Sequence, residues 1–160
     1  MKADRAPQLK AVVSLLFGIE RQWVQLPRNA TDEQILDVVR AWVELLAQER
    51  HEEAFRMLRY QPTELWSPEL IKNVITNYGF IEPREDGARF KVTSLKDNPG
   101  GEAFHEVEWY GDDPNRPAEY LGMAAFALPL NGEWSDVTAM FDIGEENGEL
   151  VLELDDIHVL

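Results

Sequence analysis

Two Asn-Gly dipeptides, Asn131-Gly132 and Asn147-Gly148, constrain this chain more than any other feature. Each lies between runs of apolar and β-branched residues. A two-residue hairpin loop of type I′ needs positive φ at both central positions, and Asn-Gly reaches that conformation at little cost. The dipeptides therefore predict three consecutive antiparallel strands, over 119–130, 133–143 and 149–159, and they predict the register. A regular turn at 131–132 sets Phe126 opposite Val137, Ala124 opposite Ala139 and Gly122 opposite Phe141. The second turn sets Ile143 opposite Leu152 and Phe141 opposite Leu154. All of these residues share one face, as a half-buried sheet requires.

The same counting exposes a conflict. Continued without interruption, the second hairpin places Asp156 opposite Ala139 and His158 opposite Val137, on the apolar face. A buried carboxylate without a partner is costly. One extra residue at Asp155 or Asp156, a β-bulge, turns the strand over so that Ile157 and Val159 point inward, and this is the favoured reading. The other reading keeps Asp156 and His158 on the concave face as an acid-base pair in a polar pocket. They are the one carboxylate-histidine pair that strand alternation aligns near a plausible cavity; His51 and His105 read as surface or edge residues.

The first half of the chain carries helical periodicity. Over 7–25, Leu9, Val12, Val13, Leu16, Ile19 and Trp23 recur at three- and four-residue spacing, and Pro27 ends the run. Thr31 followed by Gln34 has capping-box spacing and opens a helix whose buried stripe is Ile35, Val38, Val39, Trp42, Leu45 and Leu46. A third run with Ala54, Phe55 and Leu58 either continues that helix or breaks from it near Glu49. Ser67-Pro68 is an N-cap and first-turn pair, with Gly79 placed to cap the other end. Further strands are expected at 88–95 and 103–110, with a loop at 111–117. The fold class is α+β: N-terminal helices packed on a curved, cone-like antiparallel C-terminal sheet. One domain is expected over 1–160, with 1–30 a helical extension and 31–160 the core.

Composition serves mainly to exclude. Thirty Asp and Glu against 15 Lys and Arg give a net charge of -15, a field that repels phosphate backbones and anionic membranes, so neither is expected as a partner. A basic protein would be attracted. With no cysteine, thiol nucleophiles, Cys-ligated zinc and iron-sulfur clusters are ruled out. The apolar stretch at 11–19 is too short to span a bilayer and no cleavage site follows it, so the chain reads as a cytoplasmic protein of bacterial style. No phosphate loop, nucleophile elbow or metalloprotease motif is present. No cofactor or metal is expected, because spacing supplies no third ligand beside Asp156 and His158. Trp23 and Trp42 read as core, while Trp66, Trp109 and Trp134 are candidates for contact with a ligand or partner.

Helices first, including the Ser67-Pro68 helix, then long antiparallel strands ending in Leu-Asp-Asp-Ile-His-Val-Leu, resemble the nuclear transport factor 2-like superfamily, also called SnoaL or ketosteroid-isomerase-like. The resemblance covers about 31–160 and rests on element order. It implies a concave pocket between sheet and helices, often a dimer, and a role as isomerase, hydrolase or binding protein. No catalytic Asp-Tyr arrangement of that family maps onto these positions. A small acidic domain without motifs also resembles immunity proteins that neutralise toxins. The expected function is a non-catalytic binding or interaction protein, with a small-molecule pocket or an acidic protein-binding surface. Its expected partner is a basic protein or a small apolar ligand, with a homodimer open. The alternative is a small isomerase- or hydrolase-like enzyme using Asp156 and His158.

Overall fold

Both Asn-Gly pairs form the turns their chemistry favours: Asn131 and Asn147 have φ of 52°, followed by Gly132 at 83° and Gly148 at 81°. The computed structural model describes residues 23–98 and 100–160. Around those turns, β1 (His105–Trp109), β2 (Tyr120–Leu130), β3 (Glu133–Glu146) and β4 (Glu149–Val159) form an open antiparallel sheet in the order β1-β2-β3-β4.

The second hairpin has the expected register, with Ile143 opposite Leu152 and Phe141 opposite Leu154. The first does not. Beyond Pro129 opposite Trp134 the register moves by two, so that Phe126 faces Ala139, Ala124 faces Phe141 and Gly122 faces Ile143. Pro129 has no N–H to give the ladder, and irregular pairing is what such a residue imposes. Ser135 repairs the gap: its hydroxyl donates to the Leu128 carbonyl at 2.7 Å and accepts from the Val137 N–H at 3.1 Å. Because side chains alternate with period two, a shift of two leaves the same residues on the same face.

Three helices follow from local signals. α1 (Asp32–Ala47) starts at the reciprocal Thr31–Gln34 box, and α3 (Pro68–Thr76) starts at Ser67, whose hydroxyl accepts from the Leu70 N–H at 3.0 Å. The run after α1 is separate: Glu49 adopts φ of 59°, and α2 (His51–Arg56) begins afresh. α3 ends in paired backbone bonds, Tyr78 N–H to the Ile75 carbonyl and Gly79 N–H to the Val74 carbonyl. The first residue with left-handed φ there is Tyr78, with Gly79 one place further on. A Cβ at Gly79 would sit 3.4 Å from the Cα of His158, so the end of α3 lies directly against the end of β4.

Two expectations need correction or placement. The strand at 88–95 is an extended segment with a single bridge, Val92 to Leu130, followed by a 3-10 turn at Leu95–Asp97. The side chain of Asn131 takes up the local backbone groups, accepting from the Lys91 N–H and donating to the Arg89 carbonyl. The helix at 7–25 falls outside the described residues except for 23–25, which are not helical. There Val24 donates to Met57, and Leu26 exchanges both backbone bonds with Leu150.

The core lies between the helices and the inward face of the sheet. Trp42 packs edge-on against Phe141, with centroids 5.2 Å apart, and Phe126, Ile35, Leu46 and Ile143 are fully buried around them. Burial of side chains of this size contributes roughly 1.5–3 kcal/mol each. The space between α1 and β4, beside Val24, Leu26 and Ile35, is too narrow to admit a water molecule. Among the described residues no helix is long and apolar enough to cross a membrane.

Candidate functional site

A one-residue bulge at Asp155 decides where the predicted pair sits. Phe141 faces Leu154 but Met140 faces Asp156, after which Ala139 faces Ile157 and Thr138 faces His158. Ile157 is thereby buried in the core, and Asp156 and His158 turn to the other face. Before the bulge, Leu26 bonds to Leu150 and Arg59 donates to the Leu152 carbonyl, so even-numbered residues of β4 present their backbone groups to the outer edge. After it, that role passes to the odd-numbered Ile157 and Val159. Asp156 meets this change: one carboxylate oxygen accepts from the Ile157 N–H at 2.8 Å, and the other lies 2.7 Å from Nδ1 of His158. Capping an edge amide with a charged side chain is one way sheets discourage stray pairing. The two side chains are about half exposed, 53% for Asp156 and 39% for His158.

Beside them runs an open groove of about 1220 Å³ between α3, the segment 80–86 and the end of β4. Its walls include Leu65, Trp66, Leu70, Phe80 and Ile81. Among the described residues four large apolar side chains are more than half exposed, and three of them, Leu65 (86%), Ile81 (69%) and Phe80 (56%), line this groove. For Phe80 and Ile81 this exposure is not that of a loose loop. Asn77 and Asn73 in or beside α3 donate through their side-chain amides to the Ile81 carbonyl at 2.9 and 3.2 Å. Arg84 lies over the Tyr78 ring and pairs with Asp86 at 2.8 Å, and Asp86 accepts from the Ala88 N–H. The Arg84 hydrogen bond, helped by that amide, holds the Asp86 carboxyl down at about 2. The backbone is therefore tied down while Phe80 and Ile81 point to solvent.

The groove is rimmed by carboxylates. Among the described residues Glu82, Glu85, Asp86 and Asp156 line it with one Lys or Arg, Arg84, which is engaged by Asp86. Among the described residues Glu82 and Glu85 make no ion pair.

Of the tryptophan candidates, Trp66 lines the groove. Trp109 lies in β1 with its indole N–H donating to Asp32 at 2.6 Å, and Trp134 is half buried against the core. Neither is among the groove residues.

A second polar assembly lies on the outward face of the sheet. Glu153 is fully buried, accepting from Arg59 (2.7 Å), Gln61 (2.8 Å) and the Tyr120 hydroxyl (2.6 Å). Its cross-strand neighbour is Asp142, whose carboxyl is pushed up to about 6, first by burial and then by Asp155 and Glu153. Glu64 and Asp155 are raised too, again chiefly by burial. Among the described residues no group of three or more His, Asp or Glu side chains is arranged to hold a metal ion.

Sequence reasoning pointed to Trp66, Asp156 and His158, which line the groove, but missed its Leu65, Phe80 and Ile81 walls and the Glu153 network. The one available signal was Phe80-Ile81, two large apolar residues directly after the glycine that closes a helix. No known protein family, curated protein or solved structure matches this chain.

Proposed function

We propose that this chain is a non-catalytic binding protein whose docking surface is the groove formed by Leu65, Trp66, Phe80 and Ile81 against the end of β4. The observation that carries this reading is the combination of exposure and anchoring at Ile81. A soluble domain gains nothing in stability by holding a large apolar side chain in water, and contiguous exposed apolar surface is a mark of interaction sites. The acidic rim supports a protein partner over a nucleic acid or an anionic membrane.

The test uses Nile red, a neutral dye that brightens in apolar surroundings. The native chain is expected to enhance its fluorescence, and Phe80→Ser/Ile81→Ser is expected to remove most of that enhancement without changing far-UV circular dichroism. An unchanged dye response in the variant would refute the assignment of the groove.

A second reading, a small isomerase- or hydrolase-like enzyme, is favoured by the 2.7 Å contact between Asp156 and His158. Asp156 would hold the imidazole with Nδ1 as donor, leaving Nε2 to act as base on a molecule in the groove. Under that reading His158→Gln abolishes turnover of a groove-bound ester while leaving dye binding intact; turnover no faster than that of free imidazole rejects it.

A further inference from the structure

Resting on that docking assignment, we infer that the groove's occupant is a polypeptide segment of a basic partner protein, one that combines large apolar side chains with Lys or Arg. The argument is charge complementarity on a fixed frame. Leu65, Phe80 and Ile81 offer apolar contact, while Glu82 and Glu85, both exposed and without an ion pair among the described residues, stand beside them. Among the described residues the groove's one Lys or Arg, Arg84, is committed to Asp86. An uncharged apolar ligand would leave those carboxylates without a role. A second copy of this chain would bring its own share of a net charge of -15 against them. A cationic segment satisfies both the apolar walls and the rim, and the long-range field of an acidic protein speeds its arrival. Strand addition is not the mode. Asp156 already occupies the Ile157 amide, and a Cβ on Gly79 would come within 3.4 Å of the Val159 nitrogen. Recognition is by side chains.

The experiment measures fluorescence anisotropy of two labelled peptides, one alternating Leu with Lys and one alternating Leu with Glu, against the full chain at low and physiological salt. The Leu/Lys peptide is expected to bind at least about tenfold more tightly, the scale of two solvent-exposed charge pairs, with the advantage shrinking as salt rises. In Glu82→Gln/Glu85→Gln, two exposed substitutions that leave the core untouched, the preference should fall to about twofold or less. In Leu65→Ser/Ile81→Ser, binding of the Leu/Lys peptide should be lost.

Equal binding of both peptides, lost in Leu65→Ser/Ile81→Ser, would overturn the basic occupant while leaving the groove as a docking surface. Binding of the Leu/Lys peptide that survives Leu65→Ser/Ile81→Ser would place it elsewhere on the acidic surface and overturn both readings. A concentration-dependent dimer in sedimentation that Ile81→Ser dissociates, with no peptide binding, would make a second copy the occupant and also overturn the inference.

Discussion

Removing the positive charge from the Glu153 network should be among the most damaging single changes outside the hydrophobic core. Glu153 is fully buried, and its carboxylate is held by Arg59, Gln61 and Tyr120 at 2.6–2.8 Å. Arg59→Met keeps the length of the side chain but leaves the buried carboxylate with two neutral donors. Breaking a buried ion pair from one side costs about 3–5 kcal/mol, because the remaining charge is stranded. The two surviving hydrogen bonds place the expected loss near the lower end, about 3 kcal/mol. That is a large share of the roughly 5–15 kcal/mol that holds a typical domain together. Glu153→Gln keeps the shape and leaves Arg59, which is partly exposed and 3.9 Å from Glu146, with another carboxylate, so its cost should be smaller, about 1–2 kcal/mol. The double variant Arg59→Met/Glu153→Gln should then be more stable than Arg59→Met alone, since no unpaired charge remains. Urea unfolding followed by tryptophan fluorescence, with the slope unchanged across the set, measures all three. A loss below about 1 kcal/mol in Arg59→Met, or a double variant that is simply additive, would refute the view that Arg59 is coupled to the buried Glu153 carboxylate.

Asp142 works in the opposite direction. Its carboxyl is raised to about 6, so the folded chain binds a proton that the unfolded chain binds only near pH 4, and stability should rise as pH falls from 7 towards 4. Asp142→Asn is therefore expected to stabilise the fold at pH 7 by about 1 kcal/mol, discounted for partial exposure, and by nothing near pH 4, as read from urea midpoints. Trp42 is fully buried with its indole N–H unpartnered among the described residues, so Trp42→Phe should cost only about 1–2 kcal/mol against about 3–5 for Trp42→Ala in the same assay. Asn77 anchors the Ile81 carbonyl. Asn77→Ala should speed hydrogen exchange over 80–86 and weaken Nile red binding severalfold without touching a groove wall, and unchanged exchange would count against the anchoring role. Asp156→Ala frees the Ile157 amide beside an apolar groove and should raise the apparent mass in light scattering, whereas Asp156→Asn, which keeps an acceptor oxygen, should not.

What could be read from the sequence was local or obeyed a strict period. The capping box at Thr31, the Ser67-Pro68 start and the two Asn-Gly turns each depend on a few adjacent residues, and each formed as expected. The apolar face of β2 and β3 survived even though its register was wrong, because Pro129 displaced the pairing by two and not by one. Pro129 cannot donate to a ladder, so an irregularity at that point is legible in the sequence. The segment at 88–95 was misread because strand-like composition does not say which edge is free. β2 is paired with His105–Trp109 along one stretch and with residues near Val92 only at its end. The groove depends on Asn73 and Asn77 reaching the Ile81 carbonyl and on Gly79 meeting His158, and neither contact leaves a spacing in the sequence.

The bulge at Asp155 links these observations. A straight strand would have buried Asp156 and His158 and left Ile157 outside, which hydrophobic burial disfavours. Inserting one residue exchanges them and, in the same step, changes which backbone groups reach the outer edge of β4. Up to Leu152 that edge is covered by Leu26 and Arg59; past the bulge Asp156 caps it from within the strand. A carboxylate that satisfies the edge amide keeps other strands away while leaving the neighbouring apolar walls open. The groove and its acidic end are thus a consequence of how the strand resolves its own polarity conflict, and a partner that recognises one meets the other.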